Sequence, residues 1–279
     1  IEVEIRTRFG QDFTLEDLRD EGFSAIFLGI GSHKSLSMKI PGEEGGKGLT
    51  DAIEFLRQVN LGARDLPGNN IVVIGGGNVA VDAARAARRL GAQSVTIVYR
   101  RSESEMPAYE EEVTGALDEG IEIRFLTSPV SIQSSGTKIT GFECIKTELG
   151  PPDDSGRQRP VPIAGSEFVI PCDAVIPAIG QQMDLSWAKA ENDLGLTARN
   201  LFEVNPHTLQ TSQPDVFAAG DAVTGPATVV EAIGAGHRAV AAIDHYLSHG
   251  DLDAFETESE APAGNQWKSL PKDLEDSPR

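Results

Sequence analysis

Three consecutive glycines, residues 75–77, stand between an apolar run and a segment rich in alanine and arginine. With Ala80 they fit the spacing G-x-G-x-x-A, in which one glycine makes a tight turn and another lets the backbone approach a pyrophosphate. The N–H groups that open the next helix lack partners within it and lie at the positive end of its dipole, which suits an anion. The residues predicted to face the phosphates of a dinucleotide are Gly75, Gly76, Gly77, Asn78 and Val79.

A strand, a helix and a second strand are predicted around these glycines. Residues 71–74 are all apolar and β-branched, which is typical of a parallel strand buried on both faces. The helix is predicted to end near Leu90, because Gly91 is well placed to follow its last turn. Residues 94–99 are the predicted second strand. Between a predicted strand and a predicted helix, the glycine spacing indicates a dinucleotide site, whereas the same spacing alone would be weak evidence for one.

The end of the second strand indicates which dinucleotide is bound. An NAD site usually has an Asp or Glu here, which bonds the ribose 2′-hydroxyl. This chain has Tyr99, Arg100, Arg101 and Ser102 instead. Two guanidiniums and a hydroxyl make a receptor for a 2′-phosphate, so the sequence predicts NADP rather than NAD, with Arg100 and Arg101 as ligands. The alternative is a βαβ unit without a ligand and with two solvated arginines, and two nearby glutamates weaken the phosphate site.

Two further strands end in similar glycine segments. Residues 24–32 and residues 173–181 each run from an apolar strand into glycine. Ligands of α/β proteins bind at the carboxyl ends of strands, where glycine lets them approach the backbone. Plain glycine turns are the alternative. The residues predicted to contact ligands here are Ile30, Gly31, Ala178, Ile179 and Gly180.

A last strand end precedes a long helix of small residues. Gly220 and Asp221 follow the strand, and the helix is predicted to begin near Ala227 or Thr228. An aspartate here can accept a hydrogen bond from a sugar or ribityl hydroxyl, and the helix N-terminus can face a carbonyl or phosphate oxygen. Asp221 as a mere turn residue is the alternative. Glu231 is the one carboxylate near this site, and a solvated helix position is at least as good an interpretation of it as catalysis.

Composition excludes several classes of protein. The net charge of −19 over 279 residues argues against general nucleic-acid binding. The only cysteines, Cys144 and Cys172, exclude a C-x-x-C pair and an Fe–S cluster held by this chain alone, and we expect buried thiols in a reducing cytoplasm. No apolar run is long enough to span a bilayer, so no membrane is predicted. A metal site is not predicted either.

The remaining segments complete a coarse outline. Residues 1–8 alternate like a strand, and the chain resembles a piece of a longer polypeptide. Thr14 is a predicted helix N-cap. Residues 150–160, rich in Pro, Asp and Gly, are a predicted exposed loop, and residues 251–279 a predicted acidic, extended tail. The predicted antiparallel meander consists of strands near residues 130–133, 138–147 and 168–170.

Together these motifs resemble the flavoprotein oxidoreductases with two dinucleotide-binding domains, specifically the small (beta) subunit of NADPH-dependent glutamate synthase. The resemblance runs from the first residues to about Leu247. The segments that carry it are AIFLGIG (25–31), KIPGE (39–43), GGGNVAVD (75–82), YRRS (99–102), EMPA (105–108), AIG (178–180) and FAAGD (217–221).

The resemblance implies an α/β fold: a Rossmann-like NADP-binding domain with an antiparallel β-meander, inserted into an incomplete FAD-binding domain. It implies that Gly220 and Asp221 hold the ribityl and pyrophosphate part of FAD, with Thr228 and Val229 beside the flavin ring. The family's own N-terminal glycine motif for FAD and its cysteine-rich Fe–S region are not within this sequence. The implied division is residues 1–65 and 178–250 for FAD, 66–177 for NAD(P) and 251–279 for the tail.

The implied activity is hydride transfer from NADPH to FAD, followed by electron transfer to a partner subunit or an Fe–S protein. The flavin carries this chemistry, so no catalytic side chain is predicted. A thioredoxin-reductase-like activity is disfavoured, because the chain has no C-x-x-C. The alternative from another class is a non-catalytic nucleotide-binding or assembly module.

Overall fold

The computed structural model describes residues 1–44, 46–152, 156–189, 193–253 and 255. They form two compact units. The first unit is Ser32–Asp184, and the second is Ile1–Gly31 with the described residues from Leu185 onward. In chain order the first unit is therefore inserted into the second. The predicted tail lies almost entirely outside the described residues.

Strands and helices are numbered in chain order. The strands are β1 (Ile26–Leu28), β2 (Lys34–Ser35), β3 (Asn70–Ile74), β4 (Ser94–Val98), β5 (Glu122–Arg124), β6 (Thr127–Ser135), β7 (Lys138–Pro152), β8 (Gln158–Ile170), β9 (Ala174–Pro177), β10 (Gln181–Gln182) and β11 (Val216–Ala218). The helices are α1 (Leu15–Asp20), α2 (Ala52–Asn60), α3 (Asn78–Arg89), α4 (Glu110–Asp118), α5 (Asp221–Thr224) and α6 (Val229–His249), with 3₁₀ turns at Glu103–Glu105 and Ser186–Lys189.

A parallel four-stranded sheet in the order β5-β4-β3-β9 is the centre of the first unit. β3, β4 and β9 are largely buried, and α3 lies against the sheet with an alanine-rich face, of which Ala80, Ala83 and Ala87 are fully buried. α2 adds Ala52 and Phe55 to the same core. This compact unit therefore starts before the predicted boundary at residue 66 and ends beyond residue 177, while the assignment of each part to a cofactor stays a prediction.

The predicted antiparallel meander is the three-stranded sheet β6-β7-β8. The predicted loop at residues 150–160 is partly wrong, because β7 continues to Pro152 and β8 begins at Gln158. Pro160 and Pro162 suggest a loop in the sequence, but β8 is an edge strand, where a missing N–H is tolerated. Residues 153–155 lie outside the described part.

The second unit contains a parallel pair, β1 and β11, and the long helix α6. Thr14, the predicted N-cap, forms a capping box with Asp17 at the start of α1, and Arg19 of that helix forms an ion pair with Asp215 at 2.7 Å. The predicted strand at residues 1–8 is wrong, because these residues lie in no strand and their apolar side chains are exposed. Among the described residues, no helix is long and apolar enough to cross a membrane.

Candidate functional site

Two glycines of the central turn are required by their neighbours in the protein. Gly75 has φ +145°, and a Cβ there would collide with the carbonyl oxygen of Ala178. A Cβ on Gly76 would collide with the ring of Tyr99. The turn follows β3, whose neighbours β4 and β9 lie on opposite sides, the place where α/β sheets bind ligands.

Gly77 differs, because nothing in the protein demands a glycine there. Its φ of −89° and ψ of 172° suit any residue, and an added Cβ would meet no atom within 4 Å. It caps α3 without a side-chain hydrogen bond. Within the described part of the chain, the N–H groups of Asn78 and Val79 have no hydrogen-bond partner. The N-terminus of α3 is thus open for an anion, which is the predicted role.

The side chain of Asn78 has a structural task that the sequence did not reveal. Its Oδ1 accepts a hydrogen bond from the N–H of Tyr109 at 3.0 Å. The N–H of Ala108 also donates to the carbonyl of Gly76 at 3.0 Å. These two hydrogen bonds hold residues 108 and 109, just before α4, against the glycine turn.

The two predicted phosphate ligands at the end of β4 have different environments. Arg100 is exposed and has no ion pair or side-chain hydrogen bond among the residues described. Arg101 is only 8% exposed, and its Nε donates to the carbonyl of Gln158 at 2.9 Å. The hydroxyl of Ser102 donates to the carboxylate of Glu105 at 3.0 Å. Arg100 is thus the group of this segment that is free to meet a phosphate.

Ala178, Ile179 and Gly180 lie in the same unit as the glycine turn. The N–H of Ala178 donates to the carbonyl of Ile74 at 2.7 Å, which places Ala178 beside Gly75. Gly180 has φ +125°. Ile179 remains 39% exposed. The structure therefore brings these three residues to the carboxyl edge of the four-stranded sheet.

The second unit holds the other predicted site residues. Because β1 and β11 are parallel, Ile30 and Gly31 end at the same edge as Gly220 and Asp221. Gly31 and Gly220 have φ of +67° and +68°, a region open to glycine. Asp221 accepts a hydrogen bond at Oδ1 from the N–H of Ala227 at 3.2 Å, and so shapes the loop before α6.

The N-terminus of α6 is capped by its own residues. Thr228 and Glu231 form a reciprocal capping box. The hydrogen bond from the Thr228 hydroxyl lowers the pKa of the Glu231 carboxyl, which favours the structural interpretation of this residue over an acid in catalysis. Val229 is exposed, and its N–H and that of Val230 have no partner in the part of the chain that the structure describes.

The two thiols are unsuited to redox chemistry. Cys144 and Cys172 are buried and free. Burial raises the pKa of each thiol to about 12, so the reactive thiolate is not formed near neutral pH. The described residues also include no group of three or more His, Cys, Asp or Glu side chains that could hold a metal ion.

Comparison with known proteins identifies relatives of this architecture. A profile of the pyridine nucleotide-disulphide oxidoreductase family matches residues 3–236. The beta subunit of NADP(+)-dependent formate dehydrogenase from Moorella thermoacetica is 45% identical over 252 residues, which are 90% of this chain and 35% of that protein. The glutamate synthase (NADPH) small chain of Escherichia coli K12 is 37% identical over 262 residues, 88% of this chain and 55% of that protein.

The fold has a counterpart among solved structures. The structure of Mycobacterium tuberculosis FprA in complex with NADPH aligns with this chain at a TM-score of 0.70 and 19% identity. The alignment covers 86% of this chain and 67% of the FprA chain. This match confirms the predicted α/β fold class. The chain spans between about a third and about half of the length of the two curated relatives described above.

These comparisons confirm the resemblance to the glutamate synthase small subunit and the prediction of an oxidoreductase. FAD and NADP are cofactors of the matched family, so the cofactor prediction is confirmed at that level. Because the family profile covers well over half of the sequence, the chain belongs to the pyridine nucleotide-disulphide oxidoreductase family.

Proposed function

We propose that this chain takes hydride from NADPH onto FAD and passes the electrons to a partner subunit or an Fe–S protein. The observation that carries the proposal is the open N-terminus of α3 behind Gly77, with the free guanidinium of Arg100 at the end of the adjacent strand. One element suits a pyrophosphate and the other a 2′-phosphate. Both belong to the same sheet edge of the first unit.

The residues of the first unit would bind and orient the nucleotide. The N–H groups of Asn78 and Val79 would donate to the pyrophosphate, and Gly77 would let it approach. Arg100 would pair with the 2′-phosphate, and Arg101 would support the strand end from within. Both described curated relatives carry NADP(+) or NADPH in their names, which supports NADPH as the reductant.

The residues of the second unit would hold FAD, which supplies an acceptor for hydride when bound. Gly31 and Gly220 leave the backbone accessible, and Asp221 lies at the position suited to a ribityl hydroxyl. The N–H groups of Val229 and Val230 offer donors and the positive helix end to an electron-rich flavin edge. No side chain of the chain needs to give or take a proton in this step.

The partner is proposed from the relatives. One is named as a beta subunit and one as a small chain, and this chain covers part of each. A subunit that delivers electrons to another polypeptide fits these names better than an enzyme complete in itself. The reducing cytoplasm is the compartment we propose, since both cysteines are free.

The visible spectrum tests the proposal. The purified chain is mixed with FAD, and unbound FAD is removed. The visible absorption spectrum is then recorded before and after NADPH is added under anaerobic conditions. We expect a bound flavin spectrum that bleaches. Bound flavin that NADPH leaves oxidised would favour the non-catalytic nucleotide-binding or assembly module. A lack of flavin binding would contradict hydride transfer within this chain.

NADPH and NADH binding should be compared for Arg100→Ala and for Arg64→Ala. Arg64 is a matched control, because it is also exposed and without a partner among the described residues of the same unit. We expect Arg100→Ala to weaken NADPH binding alone and Arg64→Ala to change neither. Equal losses for both nucleotides in Arg100→Ala would contradict the 2′-phosphate assignment.

A further inference from the structure

A buried threonine holds the backbone of the exposed arginine. Thr147 lies in β7 and is 2% exposed. Its hydroxyl donates to the carbonyl oxygen of Arg100 at 2.9 Å. Its own N–H donates to the carbonyl of Leu126 at 2.8 Å. The backbone hydrogen bond holds Thr147 in place, and the hydroxyl points to the segment that follows β4.

The carbonyls on either side are also held, but by backbone donors. The carbonyl of Tyr99 accepts from the N–H of Thr127 at 3.0 Å, and that of Arg101 accepts from the N–H of Leu126 at 2.9 Å. Almost any residue supplies such an N–H. Of the three consecutive carbonyls, only the middle one depends on a particular side chain, the hydroxyl of Thr147.

The same hairpin also holds the neighbouring guanidinium, through the carbonyl of Gln158 at the start of β8. The guanidinium of Arg100 has no partner of its own in the described chain. The position from which this side chain extends is therefore set by the backbone at residue 100. A side chain that is aimed before binding loses less freedom when it meets its ligand.

We propose that Thr147 is a positioning residue, which aims Arg100 at the 2′-phosphate of NADPH and so sets the preference over NADH. This inference rests on the proposed function. Without the hydroxyl, the peptide between Arg100 and Arg101 loses the one side-chain hydrogen bond that the described residues give it, and the guanidinium is distributed over more directions. A ligand without a 2′-phosphate gains nothing from this aim.

Thr147→Val and Thr147→Ser test the inference. Valine keeps the shape and removes the hydroxyl, whereas serine keeps the hydroxyl. Thr127→Val is the matched control, because Thr127 is also buried and its hydroxyl donates at 2.9 Å, but to the carbonyl of Phe125. Its N–H bond to Tyr99 survives the substitution. Dissociation constants for NADP+ and NAD+ are measured by calorimetry, and melting temperatures are recorded for all variants.

In Thr147→Val we expect the dissociation constant for NADP+ to rise by about 3- to 10-fold, the equivalent of one neutral hydrogen bond. The constant for NAD+ should stay within about two-fold, Thr147→Ser should restore NADP+ binding, and Thr127→Val should bind both nucleotides normally. A purely structural role would lower the melting temperature of both valine variants without changing the preference.

Arg100→Ala separates failure of the inference from failure of the proposed function. If Arg100→Ala loses NADP+ and Thr147→Val does not, the site stands and the positioning role is wrong. If Arg100→Ala binds NADP+ normally, the 2′-phosphate assignment is wrong and the role of Thr147 falls with it. Parallel losses of NADP+ and NAD+ in Thr147→Val would also overturn the inference.

Discussion

The substitution Gly77→Ala should weaken nucleotide binding while leaving the stability of the fold almost unchanged. The backbone of Gly77 lies at φ −89° and ψ 172°, and the added methyl would meet no protein atom within 4 Å. The fold should therefore accept it. Alanine is a poorer N-cap than glycine, so we expect a loss of at most about 1 kcal/mol, or about 2–4 °C in Tm for a unit of this size.

The expected effect on binding is much larger. A methyl at this N-cap would occupy the space through which a phosphate reaches the N–H groups of Asn78 and Val79. A hydrogen bond to a charged group contributes about 1.5–3 kcal/mol, so the loss of one such bond should raise the dissociation constant by about 10- to 100-fold. NADP+ and NAD+ should lose equally, because both carry the pyrophosphate.

Calorimetric titration with both nucleotides, together with thermal melting, checks these values. Gly236→Ala is the control, since an added Cβ in this turn of α6 also meets no atom within 4 Å. It should bind both nucleotides normally. Undiminished binding by Gly77→Ala would refute the pyrophosphate site, and a fall in Tm far beyond the control would refute the claim that the fold tolerates the methyl.

Three further predictions concern buried and paired groups. Arg101→Ala should lower the free energy of unfolding by about 1–3 kcal/mol, because a partly buried hydrogen bond from a charged group to a carbonyl is lost; an unchanged urea midpoint would contradict this. The hydrogen bond from Arg19 lowers the pKa of Asp215, so its stabilisation is fully present above the unfolded pKa of about 3.9 and is lost progressively as the pH falls from there through the lower folded pKa. Thermal melts at pH 7 and pH 3 should therefore differ less in Asp215→Asn than in the unchanged chain. Burial raises the thiol pKa values to about 12, so the unfolded state ionises first and stability should fall as pH rises from about 9. In urea titrations the double substitution Cys144→Ala with Cys172→Ala should flatten this fall, and an identical slope would contradict it.

Local signals predicted the glycine turn and its helix well. The strand before Gly75 and the helix after Gly77 follow from short-range apolar pattern, and Gly91 ends that helix region with φ +104° as its position indicated. Thr14 was predictable as a cap for the same reason, since its partner Asp17 is three residues away. Interactions within one or two turns are readable because they depend on spacing alone.

Features that depend on distant pairing were not predictable. Arg101 is buried because a carbonyl 57 residues later accepts its Nε, and Thr147 reaches a carbonyl 47 residues earlier. From the sequence alone, Arg100 and Arg101 are equally good phosphate ligands. The hairpin of β7 and β8 binds the side chain of Arg101 and leaves that of Arg100 exposed. The prolines of β8 likewise predict a loop until its place at a sheet edge is known.

The division into two units makes the two cofactor questions separable. The residues proposed to bind NADPH, from Gly75 to Arg101, all belong to Ser32–Asp184, and those proposed for FAD at Gly31 and Gly220 belong to the other unit. The first unit has its own four-stranded sheet and core. Nucleotide binding should therefore be measurable in the chain without flavin, and with the same preference for NADP+. A chain that binds NADP+ only after FAD is added would show that the nucleotide site is not complete within the first unit, whatever the spectrum reveals about hydride transfer.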